Sequence, residues 1–248
     1  MNLLTHIPQQ PLADFVELFW HCDGPAPPHP KERVFPTGCV QLLINLRDNS
    51  LRTYDPQHTD RLQNYRGPLL CGPRSEYAVI DTASQASIMG VFFKAGGAFP
   101  FLGVPAGELH NLDLSLEMLW HRHADELRDR LLGARTPSAR FQVLEQVLLA
   151  QAAWRRGRHP AVTFAWQEFQ RVPQDTTIAN VSDRIGLSPR RFIQLFHDQV
   201  GLPPPSATSY GATERLLAKN RRRQGAVVGQ DGMTVIDSRR ARSLGTNS

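Results

Sequence analysis

The sequence predicts an α+β fold, in which a β-rich N-terminal sandwich or barrel domain precedes an all-α helix-turn-helix domain and a disordered basic tail. Between about residues 12 and 101, apolar residues come in short runs separated by turn formers. After Pro105 they recur at helical spacing, and after Pro203 no sustained periodicity remains. We therefore expect a β-rich domain over 1–112, a helical connector over 113–157, a helix-turn-helix unit over 158–202 and a tail over 203–248.

The predicted strands are apolar segments of a length typical of strands, bounded by proline, glycine and other turn-forming residues. The clearest segments are VQLLINL at 40–46, YAVI at 77–80 and SIMGVFF at 87–93. They are separated by turn signals such as Pro36-Thr37-Gly38 and Cys71-Gly72-Pro73. These segments predict strands and hairpins.

Three helices are predicted between the strands and Thr177, and the third of them lies within the unit at 158–202. Asp113 or Ser115 can cap the first, which Gly133 ends, and its apolar positions are Leu116, Trp120, Leu127 and Leu131. Ser138 can cap the second, whose apolar stripe is Phe141, Leu144, Val147 and Leu148. Pro160 fits the first turn of the third, which bears Val162, Trp166 and Phe169.

Composition and targeting signals favour a globular protein of the cytoplasm. Hydrophobic residues make up 41% of the chain, as in ordinary soluble domains. No stretch approaches the roughly 18 apolar residues of a membrane span, and the N-terminus lacks the pattern of a secretory signal. The three cysteines, Cys22, Cys39 and Cys71, are widely spaced and are expected to be free thiols.

Charge is distributed unevenly along the chain. Residues 1–150 carry 13 Lys+Arg against 16 Asp+Glu, a net charge of −3, whereas residues 151–248 carry 15 against 7, a net charge of +8. A basic second part joined to a mildly acidic first part indicates a polyanionic partner for the second part alone. A solvated basic surface without such a partner is the alternative.

The segment from Thr177 to Leu187 has the pattern of a short capped helix followed by a tight turn. Thr177 can cap the helix, and Gly186 can supply the left-handed residue that ends it. Leu187 is expected to fill the space in the turn between the two helices with its side chain. The inner face of the helix is expected to consist of Ile178, Val181, Ser182 and Ile185. A small residue at position 182 lets a second helix approach closely.

A second helix is predicted to begin at Ser188-Pro189, where the hydroxyl caps free amides and proline presets the first turn. At about 100 degrees per residue, the side expected to be buried carries Phe192, Leu195, Phe196 and Gln199. The opposite side carries Arg190, Gln194 and His197, with Arg191 and Ile193 flanking it. Arginine and glutamine can pair with base edges in the major groove. A merely solvated basic face is the alternative.

The segment from Ile178 to Gly201, which contains Ile185-Gly186-Leu187-Ser188-Pro189-Arg190-Arg191-Phe192, resembles the first helix-turn-helix of AraC/XylS-type transcription regulators. The resemblance implies DNA binding and transcription regulation. It places Arg190, Ile193 and Gln194 at the base-facing positions, with Ser188 and Arg191 nearer the phosphate backbone. At position 194 the family often carries arginine, so Gln194 departs from that pattern.

The N-terminal part resembles the β-rich domain that precedes such units in one branch of the same family. The resemblance rests on the segments 33–40 and 90–98, together with Asn45, Gly72-Pro73 and Leu102-Gly103. It implies a sensor role for this domain. DNA is therefore the expected partner, and a small-molecule effector and a homodimer are left open. No cofactor is expected.

Enzymatic and metal-binding functions have weaker support in the sequence. The candidate ligands His21, Cys22, His29 and Cys39 lack the paired spacing of a zinc site. His121 and His123 are two residues apart on a predicted helix, which directs their rings apart. No nucleophile elbow or nucleotide-binding glycine loop occurs. A ligand-sensing or dimerising protein without specific DNA binding is the main alternative, and a metal-dependent β-barrel enzyme ranks below it.

The sequence after Gly201 departs from the family, whose members continue into a linking helix and a second helix-turn-helix. Here Pro203-Pro204-Pro205 leads into an aperiodic segment with the basic run Arg221-Arg222-Arg223. We expect that a change of reading frame near codon 203 produced this tail.

Sequencing the encoding DNA tests that explanation. We expect another reading frame downstream of codon 203 to encode an amphipathic linking helix and a second helix-turn-helix. If neither alternative frame encodes such helices, the explanation is wrong.

Overall fold

The computed structural model describes residues 2–26, 28–153, 157–171, 176–204 and 233–237. Its strands form two antiparallel sheets, and helices follow them along the chain, so the predicted α+β class is confirmed. The strands are β1 Asn2–His6, β2 Val16–Asp23, β3 Lys31–Val34, β4 Gln41–Asn45, β5 Ser50–Tyr54, β6 Leu62–Arg66, β7 Leu69–Cys71, β8 Ala78–Asp81, β9 Ser87–Phe93, β10 Asp113–Ser115 and β11 Met233–Asp237.

The larger sheet has the strand order β10-β7-β4-β9-β2-β1-β11, and the smaller has the order β3-β8-β5-β6. Strand β4 shows how the large sheet is covered on both faces. Leu42 and Ile44 belong to a core shared with helices, whereas Leu43 packs on the other face with Leu51 of the small sheet. Successive side chains of a strand point to opposite faces, so a strand covered on both sides reads as an uninterrupted apolar run. The predicted strands at 40–46, 77–80 and 87–93 are confirmed.

Four helices pack against the large sheet on the face away from the small one. They are α1 Phe99–Leu102, α2 Glu117–Trp120, α3 Arg122–Gly133 and α4 Pro137–Gln151. The predicted apolar positions of α2 to α4 are buried in one core with sheet residues such as Phe19 and Met89. The helices of the predicted connector therefore complete the core of the N-terminal domain.

The ends of these helices differ from the sequence prediction. Asp113 and Ser115, predicted as helix caps, lie in β10, which pairs with β7. The first predicted helix is divided at His121, whose φ is 50°. Helix α4 begins at Pro137, and its cap is Thr136, whose Oγ1 accepts a hydrogen bond from the Ala139 amide at 3.2 Å, in place of the predicted Ser138.

Strand β11 lies within the segment predicted to be an unstructured tail. It pairs antiparallel with β1 at the edge of the large sheet, with Leu4 opposite Val235. The alternating MTVID pattern is too short to stand out from the aperiodic sequence around it. The rest of the predicted tail beyond Pro204, including the arginine run 221–223, lies outside the described residues.

The last three helices form a small bundle of their own. They are α5 Pro160–Arg171, α6 Ile178–Ile185 and α7 Pro189–Val200. Their common core includes Val162, Phe169, Val181 and Phe196, and it also contains Ala95 of the N-terminal domain. None of the helices among the described residues combines the length and apolar character needed to cross a membrane.

We predict that Phe141→Ala destabilises the protein by about 3–5 kcal/mol, because this change leaves a large cavity in a tightly packed core. Phe141 is 2% exposed, and its ring stacks on His6 at 5.3 Å between centroids. Urea unfolding measures the change. The control is Leu149→Ala on the same helix, where the side chain is 40% exposed and a change within about 0.5 kcal/mol is expected. Equal losses from both variants would contradict the assignment of α4 to this core.

Candidate nucleic-acid interface

Helix α6 begins and ends as the sequence predicts. Thr177 Oγ1 accepts a hydrogen bond from the Asn180 amide at 3.1 Å. Gly186 ends the helix with a φ of 69°, a conformation that costs a residue with a Cβ about 1–2 kcal/mol. Val181 and Ser182 are buried against the neighbouring helices. The small side chain at 182 allows the close approach that the sequence indicated.

Helix α7 also begins at the predicted position. Ser188 Oγ accepts a hydrogen bond from the Arg191 amide at 3.3 Å, and Pro189 occupies the first turn. Gly201 ends the helix with a φ of 85°. Leu187, between the helices, packs against the core of the bundle. The two helices and their turn thus form the predicted helix-turn-helix.

Aromatic contacts hold the inner side of α7 in the bundle. Phe192 and Phe196 are fully buried, and their ring centroids are 5.8 Å apart. Phe169 of α5 stacks on Phe192 at 6.5 Å and meets Phe196 edge-to-face at 6.1 Å. Such ring pairs add to the stabilisation from buried apolar area. The rotation of α7 about its own axis is therefore determined by these three phenylalanines.

The opposite side of the first half of α7 faces solvent. Its exposed residues are Ser188, Arg190, Arg191, Ile193 and Gln194. Neither arginine forms an ion pair with any acidic residue in the described part of the chain. Gln194 Nε2 donates a hydrogen bond to Asp198 Oδ1 at 2.7 Å. The expected exposure of Arg190, Arg191, Ile193 and Gln194 is confirmed, and the contact of this surface with DNA stays a prediction.

His197 lies elsewhere than the sequence analysis expected. It is half-buried, and its imidazole packs against Gly107 in the 3-10 helix Ala106–Leu109, where a Cβ would lie 2.2 Å from the ring. Helical rotation alone placed it beside Arg190, but the second half of α7 is covered by the N-terminal domain. We therefore exclude His197 from the exposed surface formed by Ser188, Arg190, Arg191, Ile193 and Gln194, which we call the α7 surface.

Polar contacts that the sequence analysis missed join the bundle helices. Glu168 of α5 accepts hydrogen bonds from Arg184 of α6 and from Arg171, and only 13% of its side chain is exposed. Gln199 Oε1 accepts a hydrogen bond from the His159 amide at 2.9 Å, which satisfies a free amide at the start of α5. The sequence spacing of these residues does not predict that they form hydrogen bonds with one another.

Comparison with known proteins concerns the N-terminal domain. Residues 4–115 match DUF6597, a domain of unknown function. This domain is known in AraC-type regulators. The match begins within β1, includes the strands from β2 to β10 and ends before α2. No curated protein matches the chain. The helix-turn-helix therefore lies outside the matched segment, beyond the DUF6597 domain.

The candidate metal ligands are dispersed in the fold. His21 and Cys22 are neighbours on β2 and so point to opposite faces of the sheet. Burial and the nearby Arg140 guanidinium lower the pKa of His21. His123 Nδ1 lies 2.9 Å from Glu126 on the surface of α3. Within the described segments, no group of three or more His, Cys, Asp or Glu side chains is arranged to hold a metal ion.

We predict that Gly201→Ala is more destabilising than Gly186→Ala, although both glycines end helices in left-handed conformations. A Cβ at Gly186 would meet no atom within 4 Å, whereas one at Gly201 would lie 2.2 Å from Pro73 Cγ and 2.8 Å from the Ala106 carbonyl oxygen. We expect Gly186→Ala to cost about 1–2 kcal/mol through backbone strain alone. The steric overlap adds about 1–3 kcal/mol at Gly201. Urea unfolding of the two variants measures the difference, and equal losses would contradict the docking of α7 on the N-terminal domain.

Proposed function

We propose that the protein is a DNA-binding transcription regulator of the AraC type, which reads DNA through the helix-turn-helix formed by α6 and α7. One observation carries the proposal. The arginine side of α7 is exposed and free of acidic partners, while Phe192 and Phe196 anchor the opposite side. A helix held in this way can enter a major groove about 12 Å wide without rearrangement of the bundle.

The residues of the α7 surface have distinct chemical roles in this proposal. Arg190 pairs with a guanine edge, and Gln194 contacts a base through its amide. Ile193, which is 39% exposed, supplies an apolar contact of the kind that thymine methyl groups accept. Ser188 and Arg191, which the family resemblance places nearer the phosphate backbone, contact phosphate oxygens. The DUF6597 match supports the family assignment, since this domain is known in regulators of that type.

A single unit has a limited capacity for specific binding. Specific complexes exceed nonspecific ones by about 4–10 kcal/mol, and half of a bipartite reader loses several of those kcal/mol. The described helices end at Val200 of α7, and β11 is the sole described element beyond them. We therefore propose that this unit alone binds with low affinity and high sensitivity to salt.

Selection from a random DNA pool by the full chain, followed by gel retardation across a salt series, tests the proposal. We predict an enriched motif that Arg190→Ala weakens by about 1–3 kcal/mol, on the order of 5- to 150-fold, with relaxed preference at one base position. Arg191→Ala is expected to weaken binding equally on all sequences and to lower the salt slope by about 1.

The matched control is Arg122→Ala, which removes the same charge from α3. The Arg122 side chain is 80% exposed and lies outside the helix-turn-helix. Its loss should change the affinity for DNA only through the total charge of the protein. If Arg190→Ala and Arg122→Ala have the same effect at every salt concentration, the proposed reading role of α7 is wrong.

A second candidate function is ligand sensing, or dimerisation, without specific DNA binding. A cavity between the two sheets favours it, because the apolar side chains that line this cavity form a space of a size that ligands occupy. The gel-retardation experiment distinguishes the two candidate functions. Binding without an enriched motif, unchanged by Arg190→Ala, would favour the second candidate.

A further inference from the structure

We propose that the cavity between the two sheets binds a small, uncharged and largely apolar molecule whose hydroxyl or amide N–H donates a hydrogen bond to Asp113 Oδ1. The proposal concerns the N-terminal domain and stands independently of DNA binding. It rests on the cavity, on a buried acceptor without an N–H or O–H donor, and on the neutrality of the groups around that acceptor.

The cavity has a volume of about 320 Å³ and is lined by residues of both sheets. This volume is at the lower end of the range of about 300–1,000 Å³ that small-molecule sites occupy. Its walls are formed mainly by apolar side chains of strands β2, β4, β7, β8 and β9, among them Leu18, Trp20, Leu43, Leu69, Ile80 and Phe92. Apolar walls of this kind favour a ligand with an apolar body.

Asp113 is a buried carboxylate, and one of its two oxygens has no N–H or O–H donor among the described residues. Only 5% of its side chain is exposed, and its Oδ2 pairs with the Arg74 guanidinium at 2.5 Å. Its Oδ1 is buried and accepts no N–H or O–H hydrogen bond from any described residue. The Cys71 thiol interacts with the carboxylate, but a thiol is a weak donor. An unsatisfied buried acceptor is destabilising, and a ligand that donates a hydrogen bond to it would remove that cost.

The groups around Asp113 leave the site without net charge. Arg74 and Asp113 neutralise each other. Burial and the neighbouring Asp113 hold the pKa of Cys71 well above its usual value and raise the pKa of Tyr65, so that both groups are neutral. An anionic ligand would meet an arginine already paired and a carboxylate that repels it. A cationic ligand would meet Arg74, and either charge would lose its hydration without a free counter-charge.

Trp20 provides a complementary donor in the same cavity wall. Its Nε1 is buried and has no acceptor among the described residues. The indole lies across Gly90, where a Cβ would be 2.3 Å from Nε1, so the glycine makes room for the ring. Buried indole N–H groups usually have a hydrogen-bond partner. Trp20 on β2 and Asp113 on β10 have three strands of the large sheet between them, so Trp20 offers a second polar contact to a different part of the ligand from the group that binds Asp113.

Isothermal titration of the full chain, without DNA, with matched alcohol and carboxylate probes tests the proposal. The probes are 2-naphthol and 4-ethylphenol, each compared with 2-naphthoate or 4-ethylbenzoate. We expect at least one alcohol to bind with one-to-one stoichiometry and its carboxylate to bind at least about tenfold weaker, a difference of about 1.4 kcal/mol. Because no DNA is present, the result is independent of the proposed regulator function.

Two variants test the geometry. Asp113→Asn leaves Arg74 without its counter-charge, so the preference for alcohol over carboxylate should fall at least tenfold. Leu18→Trp keeps the ion pair but fills the cavity, and should abolish the binding of both alcohols. Leu62→Trp is the matched control, because Leu62 is 51% exposed on β6 and does not line the cavity. It should bind as the unmodified protein does.

Three results would overturn the proposal. The first is that the unmodified chain binds neither alcohol. The second is that it binds the carboxylates as tightly as the alcohols. The third is that Leu18→Trp retains the affinity of Leu62→Trp for the alcohols, which would place the probe outside the cavity.

Discussion

The interface between the DUF6597 domain and the helix-turn-helix depends on glycines at positions where no side chain would fit. A Cβ at Gly107 would lie 2.2 Å from the His197 ring, and one at Gly201 would lie 2.8 Å from the Ala106 carbonyl oxygen. Both contacts involve the same short helix, Ala106–Leu109. Closely packed interiors transmit small displacements rather than absorb them. The orientation of α7 is therefore coupled to the position of this short helix.

The same short helix is also in contact with the wall of the cavity. A Cβ at Gly72 would lie 1.7 Å from the Leu109 carbonyl oxygen, and Gly72, Cys71 and Arg74 line the cavity. Pro73, between them, is the residue that Gly201 approaches. The segment 71–74 thus lines the cavity and contacts both the short helix and the end of α7. A ligand that displaced this segment would act on α7 through direct contacts, without a longer path through the sheet.

The helix-turn-helix was predictable because its signals are local. Thr177 and Ser188 cap the amides next to them, and Gly186 adopts the conformation that its missing Cβ permits. Asp113 shows why other positions were not predictable. An aspartate at this position suits a helix cap. In the structure, however, Asp113 lies in a strand that pairs with β7, and Arg74 forms an ion pair with its carboxylate. Both partners are distant in the sequence, and a pattern confined to one helix or strand contains no information about them.

His197 shows the same limit on α7 and indicates how the helix is divided. Helical rotation places His197 with Arg190 and Gln194, yet the histidine packs on Gly107 while the other two face solvent. The first half of α7 therefore forms the exposed surface, and the second half forms the joint with the DUF6597 domain. A helix of 12 residues is about 18 Å long and behaves as one rigid element. A displacement at Gly201 must then move Arg190 as well, so the residues that join the two parts of the protein also determine where the arginines of α7 are presented.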